Sequence, residues 1–246
     1  MICYFSATGN CKHVAERLAV KLNDRAVPIL GAAPDIMLSE GEVFGLVTPT
    51  YFWELPTIVR EFLENIEISQ TGEHYAFVIA TFGTTPGCTG EEARRLLAAK
   101  GLLLDAAYSI RMPDNWTVWF DLSDAGKVAK QNEKADRTIE KVLGRIKKQD
   151  QGNHQFLRVP YFMKTFTDPA FSKARMTKNL YLEDTCIGCG ICAKNCPVSA
   201  IEIRDGKAVW VKEQCALCFS CLHHCPKFAS QYGNGATKKH GQYVHE

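Results

Sequence analysis

The stretch ICYFSATGNCKHVAERLAVKL (residues 2–22) reads in order as a strand, a loop and a helix. Ile2 to Phe5 is a short apolar run without alternation, the pattern of a strand covered on both faces. After Gly9, Val14, Leu18 and Leu22 recur every four residues, which places them on one helical face. The unit repeats along the chain. Apolar runs follow at 43–47 (VFGLV), 75–80 (YAFVIA) and 106–112 (AAYSIRM), with a weaker one, RAVPI, at 25–29. Between them, Ile58, Phe62 and Ile66 follow Pro56 at helical spacing, and Glu91 to Lys100 is helix-forming up to Gly101. A last helix is predicted from Ser123 to about Lys148, with Val128, Ala135, Ile139, Val142 and Ile146 on its apolar side. This alternation predicts an α/β fold over residues 1–150, a doubly wound parallel sheet of five strands.

The whole chain has 246 residues, enough for one large domain or two small ones. Apolar residues make up 46% and charged residues 23%, which excludes collagen-like, fibrous and disordered classes. A net charge of +2 argues against a general nucleic-acid binder. The opening MICYFSATGN has neither a basic segment nor a cleavage site of small residues, so no signal peptide is expected. The longest run without a charged side chain, Tyr75 to Gly90, is broken by glycine and proline and falls short of the roughly 20 apolar residues of a membrane span. A cytoplasmic protein is expected, and in a reducing compartment clustered thiols bind metal rather than pair as disulfides.

Of 11 cysteines, eight lie between Cys186 and Cys225. They form an internal repeat: CIGCGICAKNCP (186–197) and CALCFSCLHHCP (215–226) share every Cys and the final Pro, 29 residues apart. Each copy reads Cys-x2-Cys-x2-Cys-x3-Cys-Pro. Closely spaced thiolates on a turn can grip three corners of a 4Fe-4S cubane, with the fourth facing away. A zinc ribbon needs only two Cys-x2-Cys pairs for its four ligands, and this repeat exceeds that need. The runs resemble those of bacterial two-cluster ferredoxins, where the fourth Cys ligates the other cluster. That resemblance implies one cluster on Cys186, Cys189, Cys192 and Cys225, and a second on Cys215, Cys218, Cys221 and Cys196. Gly188 and Gly190 would let the backbone approach the sulfide, and Pro197 and Pro226 turn the chain. His223 and His224 are expected to be solvated rather than ligating. Between the copies, IEIRDGKAVW reads as a hairpin turning at Asp205-Gly206.

Four loops at the ends of predicted strands suggest a second cofactor. SATGNC supplies Ser6, Thr8, Gly9, Asn10 and Cys11, with hydroxyls and backbone N–H groups at a helix start. It lacks the lysine of a Walker loop, and no GxGxxG follows a strand. A hydroxyl-rich, uncharged cradle suits the monophosphate of FMN. TPTYFWELP brings Pro49, Thr50, Tyr51, Phe52 and Trp53 to the same edge, TFGTTPG brings Thr81, Phe82, Gly83 and Gly87, and PDNWTVWF brings Asn115 and Trp116. Their rings are suited to stack on an isoalloxazine.

Residues 151–178 form an aromatic, basic linker carrying Phe156, Tyr161, Phe162, Phe166 and Phe171. It is expected to bury these rings against both neighbours, with Arg158, Lys164, Arg175 and Lys178 beside the clusters or the FMN phosphate. Residues 179–233 hold the cysteine repeat, and the polar tail 234–246 is expected to be poorly ordered unless Tyr243 docks. SATGN, PTYFWELP and the two cysteine runs together resemble the bacterial fused ferredoxin–flavodoxin proteins. The resemblance implies a flavodoxin-like FMN domain followed by a small α+β two-cluster ferredoxin domain. Cys11 departs from it, standing where such proteins usually have Thr or Ser. The function implied is electron transfer between FMN and two 4Fe-4S clusters, with a redox protein or a small-molecule electron acceptor as partner. The alternatives are a ferredoxin-dependent reductase of a small unsaturated or quinone-like substrate, whose pocket Trp53, Trp116, Trp119 and Phe120 would wall, and a redox sensor or scaffold without turnover. No general acid or base stands out.

Overall fold

A computed structural model describes residues 1–31 and 35–245. In chain order the N-terminal part runs β1 (Ile2–Tyr4), α1 (Asn10–Leu22), β2 (Ala26–Pro28), β3 (Ile36–Leu38), β4 (Val43–Pro49), α2 (Thr57–Asn65), β5 (Ile68–Gln70), β6 (Tyr75–Phe82), α3 (Thr89–Ala99), β7 (Ala106–Arg111), α4 (Ala125–Ile146) and β8 (Gly152–Asn153). The main sheet is ordered β2-β1-β4-β6-β7-β8, and every neighbouring pair is parallel. All five expected strands are present, but the sheet has six. The sixth, Gly152–Asn153, has no apolar pattern to reveal it. It is made by backbone bonds alone, from Gly152 N–H to the Asp105 carbonyl and from His154 N–H to the Ala107 carbonyl. The short parallel pair β3/β5 was likewise not foreseen.

β6 is buried along its whole length, as its unbroken apolar sequence requires. One face of the sheet packs on α1 and α4 through Val14, Leu18, Ile139 and Val142; the other packs on α2 and α3 through Val59, Leu63, Ala93 and Leu97. α4 starts two residues later than expected because Asp124 caps it, its carboxylate accepting from Lys127 N–H at 3.0 Å. From β1 the chain steps outward to β2 and then returns across β1 to β4. The sheet order therefore reverses between β1 and β4, and their carboxyl ends border the crevice that such a reversal creates.

The C-terminal part comprises α5 (Lys164–Ala174), β9 (Leu180–Leu182), α6 (Ile191–Lys194), β10 (Ile201–Arg204), β11 (Lys207–Trp210), α7 (Ser220–His223), β12 (Ser230–Tyr232) and α8 (Ala236–His240). β9 pairs antiparallel with β12. β10 and β11 form the expected hairpin, turning through Asp205 and Gly206, both at positive φ (49° and 72°) as a type I′ turn requires. The core on the α2/α3 side continues into this part through Phe171, Leu180, Leu217, Phe219, Leu222 and Tyr232. Among the described residues no helix is long and apolar enough to cross a membrane.

The linker differs from expectation. It contains a helix, α5, that meets the rest of the protein along one face only. Lys164, Thr167 and Phe171 lie on that face at helical spacing, and Phe171 is buried against Phe52 (ring centroids 5.3 Å apart). Phe162 and Phe166 fall on the opposite side and stay 66% and 72% exposed, and Phe156 is exposed too. Lys164 does not face a cluster. Its ammonium lies 2.9 Å from Glu54 and 3.2 Å from Glu92, two buried carboxylates that Arg60 also pairs, at 3.1 and 2.8 Å. Burial pushes the Glu54 carboxyl up to about 7 against the pull of Lys164. Of the four linker cations expected beside a cofactor, Arg175 approaches a cysteine run, its Nε donating to the Cys215 carbonyl at 2.8 Å; Arg158 and Lys178 are exposed.

Removing Lys164 leaves two buried carboxylates sharing one cation. Lys164→Ala should therefore lower stability by about 3 kcal/mol or more, the usual scale for breaking a buried ion pair. Lys164→Arg, which keeps the charge, should lose much less. Urea midpoints of the two variants against the parent protein check this.

Candidate functional site

The two cysteine runs fold alike, and the eight thiols separate into two groups of four. Cys186, Cys189, Cys192 and Cys225 line one cavity; Cys196, Cys215, Cys218 and Cys221 line another. The grouping crosses the runs: the last Cys of each joins the first three of the other. Backbone N–H groups donate to three of the sulfurs, from Ala200 to Cys196 (3.2 Å), Ala229 to Cys225 (3.2 Å) and Leu217 to Cys215 (3.3 Å). Such bonds favour the thiolate and tune a bound metal. Among the described residues no three His, Cys, Asp or Glu side chains gather closely enough to hold a single metal ion. The thiols surround cavities instead, the arrangement a cluster needs. Burial pushes Cys192 and Cys215 up and Cys218 up to about 12, so the protons must be displaced by iron for the sulfurs to ligate.

The two loops reach the same backbone shape from different residues. In the first run Gly188 and Gly190 adopt φ of +63° and +77°. A Cβ on Gly188 would lie 2.3 Å from the Gly206 carbonyl oxygen of the hairpin, so that position needs glycine. In the second run the equivalent residues are Leu217 and Phe219, at φ of +55° and +56°. Left-handed backbone at such residues costs about 1 kcal/mol or more each. Both side chains point at the N-terminal part. Phe219 stacks on Trp116 with centroids 5.0 Å apart and planes 9° from parallel, and Leu217 lines a cleft described below. The side chains that replace the glycines are the ones that dock.

At the carboxyl ends of β1, β4, β6 and β7 lies a small polar cradle. Ser6, Thr8, Asn10, Cys11, Pro49, Thr50, Tyr51, Thr81, Phe82, Gly83 and Asn115 line it, together with Ala7, Pro113 and Asp114. No Lys, Arg or His is among them. Ser6 Oγ is buried and has no hydrogen-bond partner among the described residues. The Cys11 sulfur sits 3.1 Å from Thr81 Oγ1, and burial keeps this thiol protonated, pushed up to about 12. The cradle opens into an apolar cleft of about 450 Å³, walled by Phe52, Trp53, Trp116, Trp119, Phe120 and Leu217, with Thr84, Thr85 and Thr167 at its edges. Trp119 is 73% exposed.

Fourteen of the sixteen residues expected at this cofactor site thus line the cradle or the cleft. Gly9 and Gly87 line neither. Gly87 lies under Trp53, where a Cβ would come within 2.0 Å of its carbonyl oxygen, so it supports the aromatic loop. Gly9 faces the C-terminal segment. Asn10 is partly committed elsewhere: its amide donates to the Pro113 carbonyl and its oxygen accepts from Tyr243 OH. Asp114 was missed by sequence reasoning. It borders both cavities, accepts from Trp116 N–H at 3.0 Å, and is pushed above the usual carboxylate range by burial. A Cβ on Gly83 would meet its carboxylate at 2.1 Å, which explains that glycine. Leu217 and Thr167 were missed because they come from the cysteine run and the linker.

Asn115 ties these parts together. Its amide faces Thr8 Oγ1 at 3.3 Å and the Cys218 carbonyl at 3.5 Å, while its own carbonyl accepts from His223 Nε2 at 2.9 Å. His223 is 4% exposed, not solvated as expected, and burial lowers its pKa to about 4. It is held as the neutral Nε2–H tautomer, with Nδ1 accepting from Tyr243 N–H at 3.1 Å. His224, at the end of α7, bonds back to Ser220.

Residues 178–226 match the 4Fe-4S dicluster domain family, which marks this segment as an iron–sulfur electron-transfer domain. No curated protein and no solved structure matched the chain.

Phe219→Gly should relax the left-handed backbone by about 1 kcal/mol but lose the buried ring and its stack, so the net effect should be a destabilisation of about 2 kcal/mol or more. Thermal unfolding followed by tryptophan fluorescence tests this; an unchanged or raised midpoint would show that the stack contributes little.

Proposed function

We propose that this chain is an electron-transfer protein holding two 4Fe-4S clusters and one FMN. Cys186, Cys189, Cys192 and Cys225 hold one cluster, and Cys215, Cys218, Cys221 and Cys196 the other. The observation that carries the reading is that one loop serves both sites: Cys215 and Cys218 flank Leu217, which walls the cleft beside Trp116 and Tyr51. The parallel order of the first five strands of the main sheet, second-first-third-fourth-fifth once the two-residue β8 is set aside, is that of flavodoxin-like sheets, which take FMN at the same reversal point. The residues fit that cofactor. Ser6, Thr8, Thr50 and Thr81 offer hydroxyls for one phosphate, the orphaned Ser6 Oγ needs a partner, and the aromatic cleft suits a flat ring. The cradle's own lining offers hydroxyls and no lysine or arginine, which suits the single phosphate of FMN. When bound, the clusters supply one-electron steps and the flavin a two-electron store.

The chain's own part is to hold these groups close and dry. The Glu54–Lys164–Glu92–Arg60 network fixes the loop that carries Phe52 and Trp53, with Glu92 also accepting from Leu55 N–H at 2.9 Å. Phe52, Trp116, Phe219 and Tyr232 form a continuous aromatic packing between the cleft and the nearer cysteine group. A second reading, reduction of a small uncharged unsaturated or quinone-like acceptor, is favoured by the size of the cleft and the lack of any cationic side chain in its wall.

Thr8→Leu, which fills the cradle and removes a buried hydroxyl, should abolish flavin retention while leaving the iron content intact. Unchanged flavin content in that variant would move the site elsewhere. Cys225→Ala should disturb the cluster of Cys186, Cys189 and Cys192 and spare the other. Low-temperature EPR of the reduced variant distinguishes this from damage to the Cys215–Cys218–Cys221 centre, which would contradict the crossed grouping.

A further inference from the structure

Residues 240–245 are held against the rest of the protein. After α8, Leu122 N–H donates to the His240 carbonyl at 2.8 Å and His240 Nδ1 to the Thr117 carbonyl at 2.7 Å, which returns the segment to the loop after β7. Gln242 then spans the C-terminal end of α7, its amide donating to the carbonyls of Leu222 (2.7 Å) and Cys225 (2.8 Å). Helix ends leave such carbonyls without internal partners, so this side chain caps α7. Tyr243 is only 6% exposed. Its N–H bonds His223, and its hydroxyl donates to Asn10 Oδ1 at 2.6 Å, beside Asn132 Oδ1 at 3.2 Å. His245 N–H donates to the Thr8 carbonyl at 2.7 Å, and its ring stacks on His13 at 4.1 Å.

Each residue of the turn into α1 is therefore gripped from outside: Thr8 at its carbonyl, Asn10 at its side chain, and Gly9 at its α-carbon. A Cβ on Gly9 would fall 2.3 Å from the His245 carbonyl oxygen, and Gly9 itself takes φ of +96°. The grip leaves the cradle interior free, since neither Tyr243 nor His245 lines it.

We propose that Gln242–His245 is a strap that shapes the flavin cradle from outside and makes its order depend on the cysteine-rich half, with Tyr243 and His245 as positioning residues. This rests on the FMN reading above. A loop that must aim its N–H groups and hydroxyls at one anion binds best when already ordered, because ordering on binding subtracts from affinity. The strap supplies that order by fastening Thr8 and Asn10 to a segment anchored on α7. The effect falls on flavin affinity, while the cysteine cavities keep all their side chains.

The test compares the full chain with one that stops after Gln242, which keeps the cap on α7, and with Tyr243→Phe, which keeps the ring and loses only the hydroxyl. FMN affinity is read by quenching of flavin fluorescence, iron by chemical assay. The truncated chain should bind FMN about tenfold more weakly or worse, equivalent to about 1.4 kcal/mol, with iron content unchanged. Tyr243→Phe should show a smaller loss in the same direction. Wild-type affinity in the truncated chain overturns the proposal, as does loss of iron in step with flavin, which would mean general unfolding. If the full chain itself binds no FMN, the reading on which the strap rests fails instead.

Discussion

The stack of Phe219 on Trp116 is the interaction on which the arrangement depends. It brings a loop of the cysteine repeat onto the loop that follows β7, at the edge where the sheet order reverses. Phe219 can reach Trp116 only because its backbone is left-handed, in the conformation that Gly190 holds in the first copy. A duplicated motif would keep glycine there unless the side chain were needed. The strain of Leu217 and Phe219 is offset by burial of both side chains in a core shared with the sheet.

From that contact the division between the two cysteine groups follows. Cys218 is buried behind Phe219 and faces Asn115, whereas Cys189 in the first copy is exposed beside Ile187, also exposed. One group thus looks into the protein toward the cradle and cleft, and the other looks outward. The linker, the Lys164 network and the C-terminal strap all tighten the same junction from different sides. None of them crosses the interior of the cradle, which stays polar, without a cationic side chain in its lining, and open to the cleft.

Much of this was legible in the sequence. Unbroken apolar runs marked five strands because a strand covered on both faces needs no polar side chain. The cysteine repeat located the iron–sulfur segment, whereas the crossed assignment of its eight thiols came from the resemblance to two-cluster ferredoxins. What escaped was set by tertiary contact. Gly152–Asn153 pairs through backbone alone, and α5 carries an inward face of Lys164, Thr167 and Phe171 that composition could not separate from the exposed Phe162 and Phe166. His223 was read as solvated because nothing local tells that Asn115 and Tyr243 bury it. The departure from glycine at Leu217 and Phe219 was the one visible signal of docking, since a turn that tolerates glycine in one copy rarely adopts bulky residues in the other without a contact to gain.

The proposed function makes the two halves one redox unit within a single chain. Rapid mixing of the reconstituted protein with a reductant that fills the clusters first, followed by flavin absorbance, tests it directly. In a single redox unit, flavin bleaching follows cluster reduction at a rate that does not change with protein concentration. A rate that rises in proportion to protein concentration would mean that electrons pass between molecules, and that the junction built around Phe219 and Trp116 does not serve transfer.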